Sequence, residues 1–273
     1  MNFELTEDQQ AFVDTAKAFA EKELAPNAAK WDEEHHFPIE VFRKAGEMGF
    51  MGMYTPEDAG GFGMSRLDSA LIFEQLAGGC TATTAMMTIH NMVTWMIGSF
   101  GKQSVIDEWV PELVTGEKLG SYCLTEPGSG SDAASLRTSA KKDGDEYVLN
   151  GSKMFISGAG ETDVLVVMAR TGEDGPKGIS AFAVPADAEG IVYGKAEDKM
   201  GWNSQPTRMI TFEDVRVPAN HLLGNEGDGF KIAMKGLDGG RINIASCSIG
   251  TAQQAINKAR EYMLERKQFG KRL

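Results

Sequence analysis

A short run of hydroxyl-bearing residues and glycines, from Leu124 to Asp132, is the first place where this sequence could do chemistry. It supplies the hydroxyls of Thr125, Ser129 and Ser131, and its two glycines allow a close approach of the backbone to a partner. Such a loop can direct several N–H and O–H donors toward a polar, planar ligand or toward phosphate oxygens. A polar surface turn between two strands would have the same composition, so the residues alone leave both interpretations open.

Other common sites are not indicated. The sequence has no G-x-G-x-x-G run that opens a helix and no Walker motif, so neither Rossmann nor P-loop chemistry is supported. No two of the four histidines combine metal-ligand spacing with a carboxylate partner. We therefore predict no metal site and interpret the histidines as structural: His35, His36, His90 and His221.

Composition sets broad limits on the class of protein. The 273 residues suffice for one large domain or two ordinary ones, and 42% apolar with 24% charged residues is typical of a globular chain. A net charge of −12 argues against nucleic acid and against anionic membrane surfaces. Three dispersed cysteines predict no disulfide framework, which favours a reducing compartment. The acidic stretch Met1–Leu5 has no basic or apolar signal region, so we expect a cytoplasmic protein.

The elements that must position the loop differ along the chain. Thr6 and Gln9 form a capping-box pattern, and apolar residues then recur at helical spacing as far as Leu113. The middle third has short β-rich runs, with Asp143-Gly144 and Asn150-Gly151 as hairpin-turn dipeptides. The sequence therefore predicts an α+β fold. An N-terminal α-helical domain spans residues 1–118, a middle antiparallel β-barrel-like domain spans 119–226, and a C-terminal helical bundle begins at 227–273.

The last predicted helix has a wide apolar face made of Ala252, Ala255, Ile256, Ala259, Tyr262 and Met263. Helices gain most of their stability from packing, so this face requires a partner. The only other predicted helices belong to the first third of the chain. We therefore interpret residues 227–273 as the first part of an incomplete helical domain.

The order of residues from Tyr122 to Asp132, YCLTEPGSGSD, resembles the signature of the acyl-CoA dehydrogenase family. The resemblance covers essentially the whole chain and implies the same three-part fold. It also implies FAD as cofactor, held by the backbone and hydroxyls of this segment. The residues expected to line FAD here are Tyr122, Cys123, Leu124, Thr125, Glu126, Pro127, Gly128, Ser129, Gly130 and Ser131. Ser131 is also expected to reach the acyl-CoA.

Three further stretches carry the resemblance. Phe155 corresponds to an aromatic residue that stacks on the flavin, with Ile156 and Ser157 beside it, although many members have Trp there. The segment Asp238-Gly239-Gly240-Arg241 resembles the part of a helix that contacts the acyl-CoA. Near the end of the chain, Arg266 would meet the FAD pyrophosphate of a neighbouring subunit, with Gln268 and Phe269 near the adenosine. From the residues alone these would be strand core, a surface ion pair and a basic helix end.

The resemblance implies FAD-dependent α,β-dehydrogenation of an acyl-CoA thioester. The run from Lys199 to Arg208 is similar to that of members acting on short, branched acyl chains. Electrons would pass to an electron-transferring flavoprotein, and the shared FAD site implies a homo-oligomer, a dimer of dimers. Two alternatives remain: an oxidase that passes electrons to oxygen, and a non-catalytic protein that binds FAD or CoA.

The proton acceptor is the part of the mechanism that this sequence does not provide. The family uses a glutamate either in the C-terminal helical domain, which would lie beyond Leu273, or at the position of Gly240. Glycine cannot accept the proton, and the family uses the position of Glu126 structurally. We therefore predict no catalytic residue in this chain, which is either a fragment of a dehydrogenase or a short relative that does not dehydrogenate.

Overall fold

The computed structural model describes residues 4–273. Six helices form the first part of the chain. The first continues as a π-helical turn, Ala20–Leu24, and Thr6 caps it with the predicted reciprocal hydrogen bonds to Gln9. The bounds are α1 Glu7–Phe19, α2 Ala28–Glu33, α3 Ile39–Glu47, α4 Arg66–Gly79, α5 Thr81–Phe100 and α6 Gln103–Val114.

Helix α5 is the centre of this helical part. Most of its side chains are buried, because α4, α6 and strand β1 (Gly120–Cys123) all pack on it. Its N-terminal half joins a core with Phe42 and Phe73, and its C-terminal half joins a second core with the sheet. The helix therefore packs both on the helical part and on the strand that precedes the 124–132 loop.

The middle of the chain forms one eight-stranded sheet. Its strand order is β6-β7-β3-β2-β4-β5-β8, with β1 paired to β4. Most pairings are antiparallel, as predicted, but β1 and β2 each pair with β4 in parallel. Besides β1, the strands are β2 Ser139–Asp143, β3 Glu146–Ser157, β4 Val164–Arg170, β5 Ile179–Pro185, β6 Ile191–Ala196, β7 Thr207–Pro218 and β8 Leu222–Leu223.

One of the two predicted hairpin turns is wrong. The dipeptide Asp143-Gly144 does turn β2 into β3, with Gly144 at φ 63°. In contrast, Asn150 and Gly151 lie inside β3, where the pairing with β7 shifts register. Gly151 has φ 145°, and a Cβ there would stand 2.7 Å from Cα of Thr138. The glycine thus lies at a bulge where β3 packs closely on Thr138. The alternating burial of side chains before and after it keeps residues 150 and 151 in the strand instead of in a turn.

A single helix, α7 Gly229–Glu265, forms most of the C-terminal part. Its first two thirds pack on α4 and α5 through small residues, and beyond Gly250 its apolar side chains are exposed, including Ile256 and Tyr262. A two-stranded hairpin, β9 Lys267–Gln268 and β10 Lys271–Arg272, follows. Within residues 4–273, none of the helices combines the length and hydropathy needed to cross a membrane.

Candidate functional site

The loop after β1 is a tight turn with an open outer side. The N–H of Glu126 donates to Ser129 O at 2.9 Å, the N–H of Ser129 donates back at 3.1 Å, and Ser129 Oγ donates to Asp132 O. A Cβ at Gly128 or Gly130 would meet no atom within 4 Å. Packing within the protein therefore does not demand these glycines, and they leave room for a group that approaches from outside.

Glu126 holds this loop in place from the inside. Oε2 accepts from Arg137 N at 2.6 Å, and Oε1 accepts from Thr138 N at 2.9 Å and from Lys153 Nζ at 2.8 Å. Burial alone would raise the pKa of Glu126, but the Lys153 ammonium and these hydrogen bonds outweigh it and hold the pKa below its usual range. Glu126 is thus a carboxylate whose oxygens are already engaged, consistent with a structural role.

Lys153 is a site-supporting residue that the sequence interpretation missed. Its side chain is fully buried, and Nζ also donates to Leu124 O at 3.0 Å. Lys153 therefore joins strand β3 to the loop at two residues, Leu124 and Glu126. The available signal was periodicity: Tyr147 and Leu149 point inward along β3, and position 153 continues that alternation after the bulge.

Phe155 points out of the sheet beside the loop. It is 57% exposed and adopts φ 59°, at a second register shift between β3 and β7. A left-handed conformation costs a non-glycine residue about 1–2 kcal/mol. Assigning Phe155 to the strand core would be wrong, and the exposed ring is available for stacking, whereas Ile156 is indeed core. Because the side chains of Ile156 and Cys123 are buried, only their backbones can face a ligand.

Hydroxyls near the loop provide unused hydrogen-bonding capacity. Tyr122 Oη is buried and has no hydrogen-bond partner within residues 4–273. Burial raises the pKa of this phenol, so it remains a neutral donor. Thr125 and Ser157 are half-buried and Ser131 is exposed, so their hydroxyls are accessible from outside. With the exposed Phe155 ring, these donors fit a planar group that has polar edges, as a flavin does.

The second predicted site segment lies on α7. Arg241 Nη1 is 3.4 Å from Asp238 Oδ1, and both side chains are about three quarters exposed. This loose pair leaves most of the guanidinium donors free for a ligand. Gly240 faces Met92, since a Cβ there would stand 3.7 Å from Met92 Sδ. Glycine has no side chain, so this position offers no acid. Gly239 faces in another direction, toward Arg66.

Arg266 and Gln268 lie far from that segment. They follow the end of α7 and are exposed, with Gln268 Nε2 donating to the neighbouring Lys267 O. At 1.5 Å per residue, Arg266 lies roughly 37 Å from Arg241 along the helix. Arg266 and Arg241 of one chain therefore do not lie at one site.

The buried histidines have structural partners. Nε2 of His90 lies 2.9 Å from Leu113 O, while its Nδ1 accepts from Gly120 N at 3.2 Å. His221 contacts Ala183 O and Glu108. Across residues 4–273, no cluster of three or more potential metal-binding side chains is present.

Comparison with known proteins places this arrangement in a family. Residues 6–117 match the acyl-CoA dehydrogenase N-terminal domain, residues 121–215 the middle domain and residues 227–273 the C-terminal domain. Isobutyryl-CoA dehydrogenase, mitochondrial, from Bos taurus is 55% identical over 98% of this chain, which spans 65% of the length of that relative.

Solved structures agree. Butyryl-CoA dehydrogenase from Megasphaera elsdenii superposes with a TM-score of 0.94 at 40% identity, and the match covers this whole chain and 73% of that one. A chain in the structure described as the electron transferring flavoprotein of Acidaminococcus fermentans gives a TM-score of 0.95 at 41% identity, covering 100% and 72%. The chain belongs to the acyl-CoA dehydrogenase family.

Proposed function

We propose that the protein is an FAD-dependent dehydrogenase that introduces an α,β double bond into a short acyl-CoA thioester. The observation that carries this proposal is the loop of Thr125 to Ser131 beside the outward-facing Phe155, with the buried Tyr122 hydroxyl lacking a partner within residues 4–273. The family membership supports the same activity, because the similar proteins act on butyryl-CoA and isobutyryl-CoA, as their names state.

The residues of this chain would bind and orient both reactants. The loop would donate its N–H groups and hydroxyls to the polar edge of the flavin, and Phe155 would stack on the ring face. FAD bound there would supply the acceptor for a hydride. Ser131 and the segment Asp238–Arg241 would hold the acyl-CoA, with Arg241 donating to its polar groups.

The proton acceptor is not assigned to any residue described here. Removing a proton from the α-carbon needs a carboxylate whose pKa can rise in a dry pocket. Glu126 is held below its usual pKa by its partners, and Gly240 offers no acid. We therefore expect the 273-residue chain to bind FAD and acyl-CoA but to show little or no turnover.

The finer parts of the function are also proposals. A short, branched acyl chain is supported by the run Lys199–Arg208 and by the similarity to isobutyryl-CoA dehydrogenase. An electron-transferring flavoprotein as acceptor is supported by the similarity to a chain in such a structure. A homo-oligomer that shares its FAD sites is supported by the distance of Arg266 from Arg241 along α7.

The decisive experiment is to purify the 273-residue chain, record its flavin absorbance, and titrate it with isobutyryl-CoA and butyryl-CoA. We expect a yellow protein whose flavin spectrum shifts on binding, more strongly with isobutyryl-CoA. A colourless protein that binds no added FAD would refute the proposal and favour a non-catalytic relative. Flavin that is chemically reduced and then reoxidised rapidly by air would favour the oxidase alternative.

A further inference from the structure

Arg66, the first residue of α4, places its guanidinium between three elements of the chain. Its Cζ lies 3.6 Å from the centre of the Tyr54 ring and 5.5 Å from that of Trp95. On another side it lies against Gly239 of α7, where a built Cβ would stand 2.6 Å from both Cζ and Nη1. The guanidinium therefore occupies the space that any side chain at position 239 would need.

Tyr54 also binds α7 directly, one helical turn beyond Gly239. Asn243 is fully buried and donates Nδ2 to Tyr54 Oη at 3.1 Å. Burial raises the pKa of Tyr54, so the hydroxyl that accepts this bond is neutral. Arg66, Tyr54 and Asn243 thus form one continuous set of contacts from α4 to α7, which we call the Arg66 bridge.

The polar groups of this bridge are not all satisfied. Nη1 of Arg66 and Oδ1 of Asn243 are buried without a partner within residues 4–273. Each such group costs about 1–3 kcal/mol compared with a satisfied one. Arg66 takes part in none of the ion pairs found among residues 4–273. Stacking of the guanidinium on Tyr54 offsets part of this cost. An apolar side chain would fill the same space with no unpaired donor, but it would not be held flat between Tyr54 and Gly239.

We propose that Arg66 is a positioning residue that fixes the orientation of the segment Asp238–Arg241. This inference rests on the proposed function, because it takes that segment to bind the acyl-CoA. Gly239 lies in the middle of the segment, so the planar group behind it sets how far this turn of α7 stands from α4. A planar cation stacked on Tyr54 has one resting position, whereas Lys or Met at position 66 would have several.

The test compares the single variants Arg66→Met, Arg66→Lys and Gly239→Ala with the double variant R66M/G239A. Hydrogen exchange of the amides of residues 236–244 is measured without ligand, and affinity for butyryl-CoA is measured by calorimetry on the FAD-loaded chain. We expect each single variant to speed exchange in this segment and to weaken binding about tenfold. Arg43→Met, an exposed change on α3, is the matched control and should alter neither.

Coupling between positions 66 and 239 is the sharpest outcome. A flexible methionine side chain can yield to the added Cβ, so R66M/G239A should lose less affinity than the sum of its single changes. Additive losses would overturn the proposal, as would a lowered thermal stability with exchange and affinity unchanged. Arg66→Lys keeps the charge and guards against misfolding of Arg66→Met. If the unaltered chain binds no butyryl-CoA, the proposed function fails, and the exchange rates alone decide the role of Arg66.

Discussion

Lys153 Nζ lies 2.8 Å from Glu126 Oε1 at a point where both side chains are buried, so one ion pair fixes the loop of the candidate site to strand β3. A buried pair of this kind contributes little compared with an apolar pair, but removing one partner leaves an isolated buried charge. Its main effect is therefore to define the position of the loop rather than to add stability.

We expect Lys153→Met to destabilise the protein by about 3–5 kcal/mol, because Glu126 would stay buried without its cation. Urea unfolding measures this loss, and the flavin absorbance of the purified variant shows whether the displaced loop still binds flavin. Arg216→Met is the matched control, since Arg216 pairs with Asp143 and Glu146 on the surface, and it should cost less than about 1 kcal/mol. Equal effects of the two changes would contradict the structural role of Lys153.

Phe155 gives a second prediction. Phe155→Trp should retain flavin, since both rings can stack, while Phe155→Ala should lose most of it during purification. Because Phe155 is exposed and strained, neither change should lower the free energy of unfolding of the flavin-free chain by more than about 1 kcal/mol. Flavin content per chain and urea unfolding separate the two effects. Full flavin retention by Phe155→Ala would show that the Phe155 ring does not contribute to flavin binding.

The comparison of Phe155 with Lys153 and Arg66 indicates what the sequence could predict. A family pattern identifies the 124–132 loop and the aromatic residue at position 155. Helical periodicity predicts most of the helices. The role of Lys153 depends on the register between β3 and the loop. The contact of Arg66 with Gly239 joins two elements far apart in sequence, and neither relationship leaves a local pattern.

The dipeptide Asn150-Gly151 illustrates a local rule overridden by packing, and it gives a third prediction. Gly151→Ala should destabilise the protein by at least about 2 kcal/mol, because it combines φ 145° with a 2.7 Å contact to Thr138. Gly144→Ala is the control: φ is 63° but no atom lies within 4 Å, so only the backbone cost of about 1 kcal/mol applies. Urea unfolding of both variants tests this order, and a larger loss at Gly144 would contradict the bulge.

His90 gives a prediction for pH. Leu113 O lies at Nε2, and Gly120 N donates to Nδ1, so the geometry fits the neutral ring with its proton on Nε2. Burial lowers the pKa of His90 from the ordinary 6.5 to about 4. As the pH falls below about 6.5, the unfolded chain binds the proton first, so the free energy of unfolding decreases between those two pKa values and is fully retained above them.

The contribution of His90 should therefore be visible as a loss of about 1.4 kcal/mol between about pH 8 and about pH 5.5. Urea unfolding at the two pH values measures the loss. His90→Gln keeps one donor and one acceptor but cannot titrate, so its own loss should be smaller by that amount. His36→Gln, at an exposed histidine, controls for the substitution itself and should change the free energy of unfolding at about pH 8 by less than about 0.5 kcal/mol. If His90→Gln loses as much stability between the two pH values as the unaltered chain does, the His90 ring is not the group whose protonation destabilises the protein.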